Sequence, residues 1–178
     1  MSRLYLSLGS NIQAPVNIRC AVTALRRLFD VVSVSPVYES VSVGFKGANF
    51  LNLAMLARTA LDPHSVVEAL RALEDVHQRD RNAPHFSGRT LDVDLLFYDN
   101  LILHSTQLQL PRPDVLRHAF VLAPLADIGA SEICAPFTKT LRQLWEDYPG
   151  ERDTLWPVRI QMDGDVPELS ALARPIHD

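Results

Sequence analysis

The sequence predicts an α+β fold of the ferredoxin-like type, a split βαβ sheet with helices on one face plus C-terminal additions. Three observations carry that reading: a strand, helix, strand, strand, helix, strand order over the first hundred residues, two apolar stripes at helical spacing, and period-two alternation in the segments between them. In such a fold the helices bury one face of an antiparallel sheet and leave the other free.

Leu4, Leu6 and Leu8 alternate with Arg3, Tyr5 and Ser7, so the chain opens as a half-buried strand that runs into the turn formers Gly9-Ser10-Asn11. Pro15 suits a first helical turn, and Ile18, Ala21, Val22, Leu25, Leu28 and Phe29 then make one apolar helical face. Val31 to Tyr38 is rich in β-branched residues and reads as a second strand, with Pro36 marking an irregularity or an edge. A glycine-bearing loop follows. From Asn49 to Thr59 alternation returns, with Phe50, Asn52, Ala54 and Leu56 on one face and Leu51, Leu53 and Met55 on the other. Asp62-Pro63 is an N-cap and first-turn pair, and Val66, Val67, Leu70 and Leu73 carry a second helix to about Asp80. The segment 79–88 has turn formers and no periodicity, and Thr90 to Tyr98 gives a fourth strand. Beyond Asn100, helix is expected in parts of 114–127 and 138–148, and a further strand around Trp156 to Met162. Residues 1–150 read as one domain and 151–178 as its C-terminal extension.

A chain of 178 residues suits one domain, and 47% hydrophobic with 21% charged residues is ordinary for a globular protein. No apolar run reaches the roughly 20 residues of a membrane helix and the N-terminus lacks a signal-peptide pattern, so a cytoplasmic location is expected. Cys20 and Cys134 lack metal-site spacing. A net charge of −4 gives no basic stripe for nucleic acid, so neither a nucleic acid nor a membrane is an expected partner.

The stretch GRTLDVDLLFYDN puts Asp92 and Asp94 on one face of the fourth strand while Leu91, Val93, Leu95 and Phe97 point the other way. Two like charges about 7 Å apart repel unless a cation sits between them. On spacing alone the pair is either a solvated sheet face or a mount for a hard divalent cation such as Mg²⁺, which brings phosphates with it. Arg79, Arg81 and Arg89 flank it, and guanidinium groups match phosphate oxygens. Phe50 is either core or a stacking surface; Asn52 on the same face needs partners if buried, and a ligand with an amide-like edge would supply them.

LSLGSN, GRTLDVDLLFYDN and LPRPDVLRHAFVLAPL resemble, in order and spacing, the motifs of the 6-hydroxymethyl-7,8-dihydropterin pyrophosphokinases of folate synthesis, over about residues 3–145. The resemblance implies pyrophosphoryl transfer from ATP to the hydroxymethyl group of the dihydropterin, release of AMP, two Mg²⁺ ions and a ferredoxin-like fold. It implies Asp92 and Asp94 as the metal-binding and catalytic carboxylates, with Arg79 and Arg89 also catalytic. ATP contacts are implied for Glu74, Arg79, Arg81, Phe86, Arg89, Arg112 and His118, and pterin contacts for Ser40, Val43, Phe50, Asn52, Asp92 and Phe120. The expected partners are ATP and the pterin, with the chain a monomer or weak homodimer.

Departures from the family pattern are local. Ser40-Val41-Ser42 stands where Thr-Pro-Pro is usual, Arg112 where a histidine is usual, and His118 where an arginine is usual, with Arg117 beside it. His85 and Phe86 replace an arginine and a tryptophan. These bear on affinity and rate more than on reaction type. Two other readings stay open: a different two-metal nucleotidyl transferase built on a similar sheet, and a pterin- or partner-binding relative without turnover.

Overall fold

The computed structural model describes residues 1–44, 46–77 and 88–162. Five strands and two helices form the expected split βαβ frame, the second expected strand being divided in two. Strand β1 (Ser2–Ser10) leads into helix α1 (Ala14–Leu28), then β2 (Asp30–Val34), β3 (Val37–Ser40), β4 (Phe50–Thr59), α2 (Pro63–Val76) and β5 (Asp92–Tyr98). The sheet runs β5-β1-β4-β3, all pairs antiparallel, with β2 on β4 beyond β3.

The single second strand expected over Val31–Tyr38 is instead two, broken at Ser35-Pro36. Proline has no N–H for the ladder, and the Ser35 hydroxyl takes over locally, accepting from Ala54 N–H at 2.9 Å and donating to Pro36 O at 2.7 Å. Asp62 caps α2 as expected, its carboxylate accepting from His64 and Ser65 N–H. The helix closes at Val76 with His77 as its cap rather than near Asp80.

Apolar residues from α1, α2 and one sheet face make the main core: Leu4, Leu6, Leu8, Ile18, Leu25, Leu53, Met55, Leu70, Leu73, Leu91 and Val93 are all buried there. Leu28, expected on the apolar face of α1, is exposed because the helix ends on it and only Phe29 turns inward.

The C-terminal additions cover part of the second face. After a two-stranded hairpin, β6 (Leu103–His104) with β7 (Gln109–Leu110), come α3 (Asp114–Arg117), α4 (Ala119–Ile128) and α5 (Leu141–Glu146). Val121, Leu122 and Leu125 of α4 pack on Tyr5, Ala54, Leu96 and Phe97. Tyr5 is therefore buried rather than on the open side of a half-buried strand, meeting Phe97 edge to face at 5.9 Å. Phe97 also departs from expectation. A register shift in the β1–β5 pairing opposite Tyr5 and Leu6 turns it to the same side as Leu96, into this second cluster.

Strand β8 (Leu155–Val158) extends the sheet beside β3. It falls where a late strand was expected, but it is shorter than Trp156–Met162. Val158, Ile160 and Met162 continue over the main core.

Candidate functional site

The uncovered part of the second sheet face forms the floor of a cavity of about 200 Å³. The floor has a defined row. Gly9 pairs with Asn52 of β4 on one side and with Asp92 of β5 on the other, so Asp92, Gly9, Asn52 and Tyr38 stand side by side across four strands. Two residues along, Ser7 pairs with Asp94. Directly paired residues present side chains to the same face, and with strands about 4.8 Å apart the Asn52 and Asp92 positions are separated by about 10 Å.

Gly9 clears that gap. A Cβ there would stand 3.3 Å from Asn52 Oδ1 and 3.9 Å from a Phe50 ring carbon. Asn52 is 4% exposed, and its Nδ2 donates to Ser40 Oγ at 2.9 Å, which ties β4 to β3 and fixes the amide plane. Phe50 rises beside it at the start of β4, and Phe120 enters from the first turn of α4. His118, the residue between α3 and α4, has an extended backbone and stacks its ring on Phe120, with centroids 4.8 Å apart and planes 13° from parallel. Burial lowers the His118 imidazole pKa, partly offset by Asp114 at 3.7 Å, so the ring is mostly neutral near pH 7.

The acidic end is crowded. Arg89 pairs with Asp92, and Arg112 Nη1 lies 3.3 Å from Asp94 Oδ1 while its Nε donates to Asp114 Oδ2 at 3.1 Å. Burial and the Asp92 charge push the Asp94 carboxyl up to about 7 against the pull of Arg112, with Glu74 and Asp114 adding to the rise. The side chain is still 29% exposed, so this is a recess rather than an enclosed charge. With Asp92, Asp94, Glu74 and Asp114 set against Arg89 and Arg112, the cluster carries a surplus of formal negative charge. It fits a hard cation with oxygen ligands, for which two carboxylates leave positions open to phosphate oxygens. No group of three or more His, Cys, Asp or Glu side chains poised to hold a metal occurs among the described residues, so the protein's share of such a site is the aspartate pair.

Ser40, Val43, Phe50, Asn52, Arg89, Asp92, Asp94, Arg112, His118 and Phe120, all named from the sequence, line this one cavity. Glu74 stands apart from it. It is 3% exposed, accepts Val93 N–H at 2.9 Å, and so fastens α2 to β5. It also lines an adjoining recess of about 460 Å³ that Asp94, Arg112 and Asp114 share with the first. Arg79, Arg81 and Phe86, with His85, lie outside the described residues.

Sequence reasoning missed three residues. In the sequence Gly9 and Asn11 stand out only as turn formers. Asn11 is a clip: its Oδ1 accepts Arg89 N–H at 2.7 Å and its Nδ2 donates to Ala48 O at 3.1 Å, holding the loop before β4 against the residue that pairs with Asp92. Asp114, which anchors Arg112, was read only as the edge of a helix. The signal for Gly9 was its place at the end of an alternating strand, where a glycine often marks close approach by another group.

Residues 5–130 match the family model described as 7,8-dihydro-6-hydroxymethylpterin-pyrophosphokinase. The chain is 33% identical over 163 residues to the 2-amino-4-hydroxy-6-hydroxymethyldihydropteridine pyrophosphokinase of Bacillus subtilis, covering 89% of this chain and 93% of that protein. It is 34% identical over 155 residues to the enzyme of the same name from Pseudomonas aeruginosa, covering 85% and 94%. A crystal structure of the wild-type Plasmodium falciparum HPPK-DHPS with pteroate has the same fold, with a TM-score of 0.68 at 13% identity over 83% of this chain. The match spans 42% of that larger chain.

Proposed function

The chain belongs to the 7,8-dihydro-6-hydroxymethylpterin-pyrophosphokinase family, and we propose that it performs the reaction of folate synthesis that its relatives' name describes on the row Asp92, Gly9, Asn52. The reaction transfers the β,γ-pyrophosphoryl group of ATP to the hydroxymethyl group of 6-hydroxymethyl-7,8-dihydropterin. A bond forms between the hydroxymethyl oxygen and the β-phosphorus, the bridge to the α-phosphate breaks, and AMP leaves. Family membership removes the nucleotidyl-transferase alternative.

The observation that carries the assignment is the spacing of the row. A fixed amide and an acidic cluster face one cavity about 10 Å apart, roughly the reach of a bicyclic heterocycle with a one-carbon arm. Asn52 reads the amide-like edge of the pterin, donating and accepting at once. Phe50 and Phe120 cover its two faces, and Ser40 and Val43 complete the wall. The hydroxymethyl arm then points along the Gly9 floor toward Asp92. Phosphoryl-type transfer asks for alignment and charge neutralisation more than for a general base.

ATP occupies the adjoining recess, with Glu74 and Arg112 on its walls, and reaches His118 in the neighbouring cavity. Arg89 and Arg112 already stand at the carboxylates and take up phosphate charge, the part also assigned to Arg79 and Arg81. Phe86 completes the ATP contacts. Asp92 and Asp94 hold two Mg²⁺ ions, which supply charge neutralisation on the triphosphate and a more acidic substrate hydroxyl.

We place the protein in the cytoplasm as a monomer or weak homodimer. What supports this is that one chain supplies all these cavity walls, and that no described helix is long and apolar enough to cross a membrane. A direct test is titration of the dihydropterin, followed by heat, into the protein with Mg²⁺ and an ATP analogue that cannot transfer its β-phosphate. Saturable binding lost in Asn52→Ala supports the reading; equal binding in that variant removes Asn52 and the row from it.

A further inference from the structure

The geometry points to Arg112 as a built-in counter-cation of the free enzyme, holding Asp94 until a metal-bound triphosphate supplies both a replacement cation for the carboxylate and a replacement anion for the guanidinium. The inference rests on the metal and ATP assignments above and adds a coupling between them.

Arg112 is fixed at its root and partly exposed at its tip. Its backbone N–H donates to Leu96 O at 3.0 Å, pinning the residue to the outer edge of β5. Its side chain forks, Nη1 to Asp94 and Nε to Asp114, and is 37% exposed. It borders both the pterin cavity and the ATP recess, so rotation about the side chain carries the guanidinium from one to the other without moving the strand. Asp92 has its own guanidinium in Arg89, so each aspartate of the pair already carries an internal cation.

A metal ion arriving alone must therefore displace Arg112 from Asp94 and strand it between Asp114 and solvent. A metal arriving with a triphosphate leaves the guanidinium a better acceptor, since planar guanidinium groups bind phosphate oxygens in bidentate fashion. Metal and nucleotide consequently favour each other's binding by one common factor, as linkage requires. The free enzyme is kept from holding metal without nucleotide.

The test is Mn²⁺ affinity, read by electron paramagnetic resonance of the free ion, with and without α,β-methylene-ATP, for wild type, Arg112→Gln, Arg112→Lys and Arg117→Gln. Thermal melts establish that each variant is folded. Removing the guanidinium should tighten binding of Mn²⁺ alone by about tenfold, on the scale of one lost partly screened charge contact, and shrink the metal–nucleotide coupling by the same factor. Arg112→Lys, which keeps the charge but cannot fork, should fall between. Arg117→Gln removes an equal charge from the wall of the ATP recess and should change Mn²⁺ affinity by no more than about twofold.

Equal or weaker Mn²⁺ binding in Arg112→Gln overturns the inference, as does an Arg117→Gln effect of the same size, which would make it general charge. Asp94→Asn separates the two levels. If that variant binds Mn²⁺ with the nucleotide as tightly as wild type, the metal assignment itself fails and Arg112 loses its role with it.

Discussion

Asn52 and Asp92 face one cavity from opposite sides of Gly9, each paired with it in the sheet. Without a side chain, the glycine leaves the space between them open. A Cβ at 3.3 Å from Asn52 Oδ1 is tighter than ordinary contact and would push on the Asn52 amide.

Gly9→Ala should therefore raise the pterin KM by roughly tenfold, a cost of about 1.4 kcal/mol, while the KM for ATP changes little. Initial rates at saturating ATP measure it. An unchanged pterin KM would show that the ligand does not rest on this floor.

Asp94→Asn should abolish turnover and yet stabilise the free protein. Its carboxyl is raised to about 7 by burial and by Asp92, so between its ordinary value and pH 7 the folded state binds more protons than the unfolded chain. Stability then falls as pH rises through that window. The asparagine variant lacks this loss, so its advantage should grow from pH 4 to pH 8 and reach roughly 1 to 3 kcal/mol without metal, discounted for the partly open recess. Chemical denaturation in chelator at both pH values checks it; a variant less stable at pH 8 would contradict the assigned repulsion.

Phe120→Ala should weaken pterin binding by about 1 to 3 kcal/mol through lost stacking and apolar contact. Nucleotide binding should be nearly unaffected. Calorimetry on each ligand separates the two, and an unchanged pterin dissociation constant would remove Phe120 from the site.

His77 gives a second pH dependence of opposite sign. Its Nδ1 lies 3.0 Å from Asn17 Oδ1, its Nε2 is buried without a partner among the described residues, and burial lowers its pKa. The unfolded chain takes up the proton first, so this contribution is present above the ordinary histidine value near 6.5 and is lost as pH falls below it. His118, also lowered by burial, adds to the same window. Melting temperatures of His77→Gln should decline less than those of wild type between pH 7 and pH 5.

The site was legible where one residue breaks a local pattern. Two aspartates inside a strand of period two cannot be core on both faces, so Asp92 and Asp94 announced themselves, and Asn52 beside Phe50 did so more weakly. The split βαβ frame was legible for the same reason, because alternation and helical stripes are local. Relationships between strands were not. Gly9 matters only through its register with Asn52 and Asp92, and Asn11 only through a contact with Arg89 across 78 residues. The pairing of Arg112 with Asp94 likewise depends on where the chain returns after the β6–β7 hairpin. Phe97 lies on the face opposite to the one its strand pattern predicts, because a bulge shifts the later side chains and no single-strand pattern marks it.

In the proposed mechanism Asp92 and Asp94 hold the triphosphate for attack by a pterin that Asn52 orients. AMP release from ATP and Mg²⁺, measured with and without 6-hydroxymethyl-7,8-dihydropterin in wild type, Asp92→Asn and Asp94→Asn, tests it most directly. Pterin-dependent AMP release in wild type, lost in both folded variants, is the predicted result. AMP that appears no faster with pterin than without it, or near-normal turnover in either variant, would contradict the account.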